Sequence, residues 1–131
     1  MKFGTYMFEA KKVPGFDYDL FRVKPEVGRR MPPKPDMHSN IAIFGDNVTA
    51  RIHPEWISQS ELGPAWRTND NFNVRWEVLC ATQPEHRAEQ LDYIEDVARK
   101  SEGIWLNSIH FAEHGHCICP RCKELHAKSG L

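Results

Sequence analysis

The segment that decides the fold is "VRWEVLCATQPEHRAEQLDYIEDVARKSEGIWLNSIHF", residues 74–111. Its beginning, Val74 to Cys80, has the apolar and β-branched content of a strand, and so does "GIWLNSIHF" at 103–111. A helical pattern lies between them. Strand, helix and strand in this order form a βαβ unit, which joins parallel strands through a right-handed crossover. The sequence therefore predicts an α/β fold with at least one parallel pair of strands.

The helix of this unit has a predicted start, face and end. Thr82 is expected to be its N-cap, with Glu85 at the capping-box spacing and Pro84 in the first turn. Arg99 and Lys100 at the end suit the helix dipole. Apolar residues recur at spacings of three and four and predict one buried face, made of Ala88, Leu91, Ile94, Val97 and Ala98.

The N-terminal part carries weaker signals. "KFGTYMF" (2–8) is predicted to be a strand, and the proline-rich stretch from there to residue 40 an irregular loop. Residues 1–40 are therefore expected to be an irregular N-terminal part with one strand.

The remainder, 41–131, is expected to hold the β/α core and a Cys/His metal-binding loop. Ile41 to Phe44 and Val48 to Ile52 are predicted to pair as a hairpin around Gly45, Asp46 and Asn47. A last short helix is expected from about Pro120 to Ser129, with Gly130 as its stop. Together with the N-terminal part, 1–131 is predicted to be a single α/β domain.

Composition narrows the class of protein. The 131 residues hold 17 basic and 18 acidic side chains, for a formal charge of -1, so no nucleic acid is expected as a partner. The apolar runs are too short for a membrane span, and "MKFGTYMFEAKK" lacks the apolar core of a signal peptide. A cytoplasmic location is the resulting expectation. In that compartment clustered thiols are more often metal ligands or redox groups than disulfides.

Such a cluster lies in "HFAEHGHCICPRCKELHAKSGL", residues 110–131, where Cys117, Cys119 and Cys122 form a C-x-C-x-x-C motif. Thiolates suit zinc in a tetrahedral shell, and a structural zinc site is the leading interpretation. Free thiols, a labile disulfide, a catalytic metal and an iron–sulfur cluster are the alternatives. A fourth ligand is needed, and the candidates are Cys80, His114, His116 and His126.

Catalytic candidates follow predicted strands. His53 and Glu55 follow the strand predicted at the start of "VTARIHPEW". His110 and Glu113 lie near the C-terminal end of the last predicted strand. Residues at the carboxyl ends of parallel strands meet at one edge of the sheet, where they can act as acid and base. The alternative is that His53 is a satisfied polar residue and Glu55 a helix N-terminal acid. The four tryptophans are candidates for stacking on sugars or for core filling, at Trp56, Trp66, Trp76 and Trp105.

Residues 48–131 resemble the uncharacterised glycosidase-like (β/α)-barrel proteins, a glycoside-hydrolase-like family with a C-x-C-x-x-C cluster. The matching pieces, in the family's order, are "ARIHPEW", "LCATQPEHR", "EGIWLNSIHF" and "CICPRCKELHAKSGL". The resemblance implies a partial or shortened TIM-barrel-like arrangement of parallel strands. It also implies a carbohydrate ligand and a carbohydrate-related function.

One departure bears on catalysis. The family's strand carries an acid where this sequence has Asn107, and an amide cannot act as general acid or nucleophile in the two-carboxylate scheme. A full eight-stranded barrel also needs roughly 200 residues or more. The leading hypothesis is thus a glycoside-hydrolase-like protein with a structural zinc. Its rival is a non-enzymatic zinc-binding module for assembly, consistent with a homo-oligomer.

Overall fold

The centre of the fold is an open four-stranded sheet in which every pairing is parallel. The computed structural model describes residues 1–69, 74–109 and 117–130. The strands lie side by side in the order β1 (Gly4–Met7), β2 (Tyr18–Lys24), β3 (His38–Ala42) and β8 (Gly103–Asn107). Three α-helices are described as well: α1 (Asn47–Ile52), α2 (Pro84–Arg99) and α3 (Pro120–Ser129). This confirms the predicted α/β class, whereas the described residues form an open sheet and do not show a barrel.

Two short antiparallel ribbons and one turn of 3-10 helix complete the described elements. The ribbons pair β4 (Gln59–Ser60) with β5 (Gly63–Pro64) and β6 (Trp66–Asn69) with β7 (Val74–Glu77). The 3-10 turn spans Pro54–Trp56. These elements occupy the long crossover between β3 and β8, together with α1 and α2.

The two faces of the sheet differ in polarity because side chains alternate along each strand. On one face Phe21, Val23 and Ile41 form the main core with Val97 of α2. On the other face Arg22 and Asn40 lie beside Tyr6, whose hydroxyl is 3.3 Å from the amide oxygen of Asn40. The helix-covered face therefore supplies stability, and the opposite face supplies polar groups.

The predicted pairing within the βαβ segment is wrong in one respect. The strand at 74–77 pairs antiparallel with β6, and 103–107 pairs in parallel with β3. Val78 and Leu79 continue as isolated antiparallel bridges to Gly45 and Ile57. The parallel strands joined by the α2 crossover are thus β3 and β8, and α2 packs against both.

The predicted hairpin at 41–52 is also wrong, because the second half is helix α1. Asp46 caps this helix: its carboxylate accepts from the backbone N–H groups of Val48 and Thr49, each at 3.0 Å. An Asp at this position satisfies helix-start donors that a hairpin turn would leave free. This capping outweighs the β-branched content of the segment.

The N-terminal part is more regular than predicted. The stretch read as a loop contains β2 and the start of β3, and the only strand predicted there, 2–8, corresponds to β1. Most residues of β2 are buried, including the polar Asp19 and the charged Lys24. Polar residues with partners inside the fold removed the apolar–polar alternation that marks a strand.

Helix α2 was predicted at nearly its observed position, but the residues on its buried face differ from those predicted. Gln83 is its N-cap, not Thr82, and the buried positions are His86, Gln90 and Val97. Ile94 is half-buried, whereas Leu91 is 63% exposed and Ala88 and Ala98 are exposed. Two polar side chains thus occupy positions that the apolar pattern assigned to solvent. Among the described helices, none has the length and apolar character needed to cross a membrane.

Candidate functional site

Four cysteines from distant parts of the chain converge on one point. Cys80 follows the bridge at Leu79, and Cys117, Cys119 and Cys122 surround the start of α3. Their sulfur atoms all lie within 4.8 Å of one another. The Sγ atoms of Cys80 and Cys122 are 3.5 Å apart, and those of Cys80 and Cys119 are 3.8 Å apart. A tetrahedron with Zn–S bonds of about 2.3 Å has sulfur–sulfur edges of about 3.8 Å, so the spacing fits a four-thiolate metal site.

These distances also bear on the disulfide alternative. A disulfide needs sulfur atoms about 2.05 Å apart, and all four cysteines are free thiols in the structure. The set that comes together contains Cys80 rather than His126. His126 is exposed on α3 and is not a member of the group. Cys80 was one of the candidate fourth ligands in the sequence.

The surroundings of the cysteines favour charged sulfur at one position and oppose it at others. Burial raises the pKa of Cys80 and of Cys119. Burial acts the same way on Cys117, but backbone N–H groups of Cys119 and Gln59 stabilise its thiolate and lower its pKa to about 7. Several buried thiolates side by side need a cation to offset their repulsion, which is the chemistry that a metal ion supplies.

Two polar groups outside the cysteines contact the sulfur atoms of the cluster. The backbone N–H of Gln59 donates to the Cys117 sulfur at 3.3 Å, and the Thr82 hydroxyl lies 3.1 Å from Cys80 Sγ and 3.3 Å from Cys122 Sγ. This explains why Thr82 does not cap α2: its hydroxyl is used at the cysteine cluster instead. Such outer contacts orient ligands and tune a metal site.

The two upstream catalytic candidates, His53 and Glu55, follow a helix and not a strand. His53 is the C-cap of α1, and its ring stacks on Trp56 at a centroid distance of 3.8 Å. Its Nδ1 lies 3.1 Å from the Glu55 carboxylate. The Glu55 backbone N–H and His53 lower the pKa of Glu55, which is exposed. The pair is thus a surface contact at the start of the 3-10 turn, since the strand expected to precede it is α1.

His110 and Glu113, and the alternative metal ligands His114 and His116, lie outside the described residues. Their proposed roles stay predictions.

A cleft that the sequence did not indicate opens at the carboxyl ends of β2 and β8. Its volume is about 540 Å³. Phe8 and Trp76 supply aromatic surface, and Arg22, Glu26 and Asn107 supply polar groups. Sites of α/β sheets lie at this edge, and an apolar wall with a few convergent polar groups is typical of small-molecule pockets.

Glu26 is the centre of the cleft's polar groups and is only 5% exposed. Its Oε1 accepts from the Asn107 amide at 3.0 Å and from the Ser108 hydroxyl at 2.8 Å. Its Oε2 lies 3.3 Å from the Arg22 guanidinium. A buried carboxylate with these three donors is fixed in one orientation.

The backbone around Glu26 is shaped to bring these groups together. Ser108 has a φ of 52°, which is costly for a residue with a side chain and is found most often at functional sites. A Cβ at Gly45 would lie 2.7 Å from the Trp76 ring and 2.9 Å from Glu26 Cγ. Because Gly45 has no side chain, Trp76 and Glu26 can both pack closely against its Cα.

A buried ion pair fixes the end of β2 below the cleft. The ammonium of Lys24 lies 2.8 Å from Asp46 and also donates to the Ala42 carbonyl. Burial lowers the pKa of Lys24, and it would raise that of Asp46, but Lys24 and the Thr49 donors hold the Asp46 pKa below its usual value. The pair ties β2 to the N-terminus of α1.

Comparisons with known proteins give fold-level likeness. No family model and no curated protein matches the chain. An α-L-fucosidase, isoenzyme 2 from Paenibacillus thiaminolyticus, superposes with a TM-score of 0.68 at 16% identity over 88% of this chain. A protein described as hypothetical from Ruminiclostridium thermocellum superposes with a TM-score of 0.53 at 17% identity, over 89% of this chain and 80% of its own. The chain spans about a fifth of the fucosidase, 21% of its length. These likenesses support a glycosidase-like fold.

Sequence reasoning missed Glu26, Arg22 and Ser108. The signal that would have found Glu26 is its position two residues after β2, in "VKPEVGRR". Because β2 was not predicted, Glu26 was assigned to an irregular loop, and its position relative to the sheet could not be inferred. Asn107 was singled out, but as a missing acid and not as a donor to one.

Proposed function

We propose that this chain is a carbohydrate-binding domain of the glycosidase-like kind, with its sugar site in the cleft around Glu26. The observation that carries the proposal is the buried carboxylate held by Arg22, Asn107 and Ser108 beside the ring of Trp76. Sugars are recognised by fixed polar groups that hydrogen-bond hydroxyls and by aromatic rings that cover their apolar faces. The likeness to a fucosidase fold supports the same ligand class.

In this proposal, Asn107 is a hydrogen-bond donor to the Glu26 carboxylate. An acid at this position would bring a second carboxylate to within hydrogen-bond distance of Glu26, and one of the two would have to bind a proton. The Asn107 amide instead donates a hydrogen bond to Glu26. The carboxylate of the site therefore comes from β2's end and not from β8.

The test is oligosaccharide binding measured by calorimetry or by NMR shift perturbation on the full chain. Glu26→Gln is expected to weaken binding about tenfold or more, since it removes the charged acceptor, and Trp76→Leu to weaken it through lost ring stacking. Glu85→Gln, on the exposed first turn of α2, is the matched control and should bind as the wild type does. Sugar binding that is insensitive to Glu26→Gln would remove the cleft as the site.

Hydrolysis is a separate proposal for the same protein. His53, Glu55, His110 and Glu113 remain the proposed acid and base groups. Turnover of aryl glycosides by the wild type, lost in Glu55→Gln or Glu113→Gln, would support them. Turnover that survives both changes would exclude these two acids.

We further propose that the four cysteines hold a structural zinc ion. The support is the match between the sulfur spacing and a tetrahedral thiolate shell, which four cysteine ligands would fill, as in structural zinc sites. The residues that would hold the ion are Cys80, Cys117, Cys119 and Cys122. Zinc would supply the positive charge that keeps four thiolates together.

Elemental analysis of the purified protein tests the zinc proposal. The expected ratio is about one zinc per chain. Cys80→Ser should lower zinc retention against a chelator by about tenfold or more, whereas His126→Ala should leave it unchanged. Loss of zinc in His126→Ala instead would make His126 a ligand, and a wild-type ratio near zero would refute the site.

Assembly is the second candidate function, and one observation favours it. Edge strand β8 exposes Trp105 at 55% and Leu106 at 38%, and Ile109 beyond it is 60% exposed. Edge strands with apolar side chains are prone to pair with another chain. Light scattering that gives a zinc-dependent oligomer without sugar binding would support assembly, and a monomer that binds oligosaccharide would exclude it.

A further inference from the structure

A groove of about 750 Å³ adjoins the cleft, and the two share Val27 and Arg29 in their walls. The groove runs between the segment after β2 and helix α1. A ligand seated at Glu26 can therefore extend past Arg29 into a second binding surface.

Arginine dominates the charge of this continuous surface. Arg22 and Arg29 line the cleft, and Arg29, Arg30 and Arg51 line the groove. The acids that line the two cavities are Glu26 and Glu89. The chain as a whole has a formal charge of -1, so this concentration of positive charge is local. An excess of one sign along a groove attracts ligands of the opposite sign.

Two of these arginines, Arg29 and Arg51, are not engaged in ion pairs among the described residues. Arg22 is paired with Glu26, and Arg30 lies 3.6 Å from Asp46 and over the ring of Tyr93. Arg29 and Arg51 are exposed and make no ion pair within the described parts of the chain. Guanidinium groups bind carboxylates and sulfates through paired hydrogen bonds, and these two are free to do so.

The groove also offers apolar surface between the charges. Val27 is 38% exposed, Val48 is 40% exposed and Ile52 is 67% exposed. Apolar side chains beside arginines suit a ligand whose rings have apolar faces and whose edges carry anionic groups. Simple inorganic anions would leave this apolar surface unused.

We propose that the ligand is an anionic oligosaccharide, one that carries uronate carboxylates or sulfate esters. One ring lies in the cleft at Glu26, and the anionic groups of the following rings contact Arg29 and Arg51. This inference rests on the proposed sugar site and adds the substrate class. Glu26 itself repels anionic groups, so the ring beside it presents hydroxyls and the charged groups lie on the groove side.

The experiment compares three probes of similar length on the full chain by calorimetry: a neutral oligosaccharide, an oligogalacturonate or heparin-derived hexasaccharide, and a single-stranded oligonucleotide. The anionic sugar is expected to bind at least about tenfold more tightly than the neutral one. Its affinity should fall as salt rises from about 50 to about 300 mM, because the arginine contacts are screened.

Variants locate the effect. Arg29→Gln and Arg51→Gln should each weaken anionic binding about three- to tenfold. Arg51 lines the groove and not the cleft, so Arg51→Gln should leave neutral binding unchanged. Arg87→Gln is the matched control, because Arg87 is an exposed arginine of α2 that lines neither cavity. Circular dichroism of each variant checks that the fold is retained.

The outcomes separate this inference from the proposed function. If neutral sugar binds through Glu26 but anionic sugar binds no better, or if Arg29→Gln and Arg51→Gln have no effect, only the inference fails. If neither sugar binds, the proposed function fails and the inference with it. If the oligonucleotide binds as tightly as the anionic sugar, the surface is a general polyanion site and the carbohydrate assignment is overturned.

Discussion

At the scale of single residues, a notable feature of this protein is that several ionisable side chains are buried inside the fold. Glu26, Lys24, Asp46 and His86 are all buried, and three of them take part in ion pairs. The sequence shows that these residues exist. It does not show that they are buried, because burial depends on partners that are distant in the chain.

His86 is the residue for which a pH effect is expected. It is fully buried, and its ring lies about 6 Å from those of Phe44 and Trp56, with centroid distances of 6.0 and 5.9 Å. Burial, with a smaller effect of the positive charge of Lys24, lowers its pKa from 6.5 to about 4. The unfolded chain therefore binds a proton in a pH range where the folded chain does not.

The sign of the effect follows from that difference. Above pH 6.5 both states are neutral at His86 and the full stability is present; between pH 6.5 and about 4 protonation favours the unfolded state. The loss is roughly 3 kcal/mol across this window. Urea unfolding at neutral and acid pH should show it in the wild type. His86→Met should show a smaller loss, and equal losses in both proteins would contradict the assignment.

At the scale of elements, α3 is the helix whose position depends most on the cysteine cluster. None of its residues is buried. Cys119 at its N-cap and Cys122 in its first turn belong to the cluster, and the N–H of Ile118 donates to the Gln59 carbonyl at 2.8 Å. An isolated helix of this length is marginal in water, so its order should depend on the cysteine cluster and on the metal ion that we propose for it.

If the four cysteines hold the proposed zinc ion, its removal should release α3 and leave α2 in place. Hydrogen exchange after chelation is expected to increase by about tenfold or more in the amides of α3, while those near Val97 stay protected. The C-terminal half of α2 serves as the internal control, because Val97 packs in the main core, whereas it is the N-cap of this helix, Gln83, that bonds to the Cys80 carbonyl. Unchanged protection of α3 in protein shown to be metal-free would contradict a structural role for the site.

The elements also show where sequence patterns succeed. Strand β8, helix α2 and helix α3 were predicted at nearly their observed positions, because each combines a clear composition with local stop and start signals. Strand β2 and helix α1 were missed or misassigned. Their formation depends on Asp46 as a cap and on buried polar residues such as Lys24, whose partners lie on other elements.

At the scale of the whole molecule, the sheet joins the two candidate sites. Strands β3 and β8 lie next to each other, and beyond the end of β3 the backbone N–H groups of Ile43 and Phe44 donate to the carbonyls of Asn107 and Ser108. This extension places Ser108 against Glu26 in the cleft. The crossover that links the same strands carries Cys80 to the cysteine cluster.

By itself the sequence determined the α/β class, the position of the last strand and last two helices, and a cysteine-rich candidate metal site with Cys80 among its candidate ligands. Local periodicity, helix signals and ligand chemistry suffice for these features. Only the tertiary structure decided that β8 pairs with β3, that Cys80 and not His126 joins the other three cysteines, and that Glu26 lies in a cleft with Asn107 and Ser108. These contacts join residues that are between 39 and 82 positions apart in several cases. No local pattern encodes them, because they are selected by how the whole chain packs.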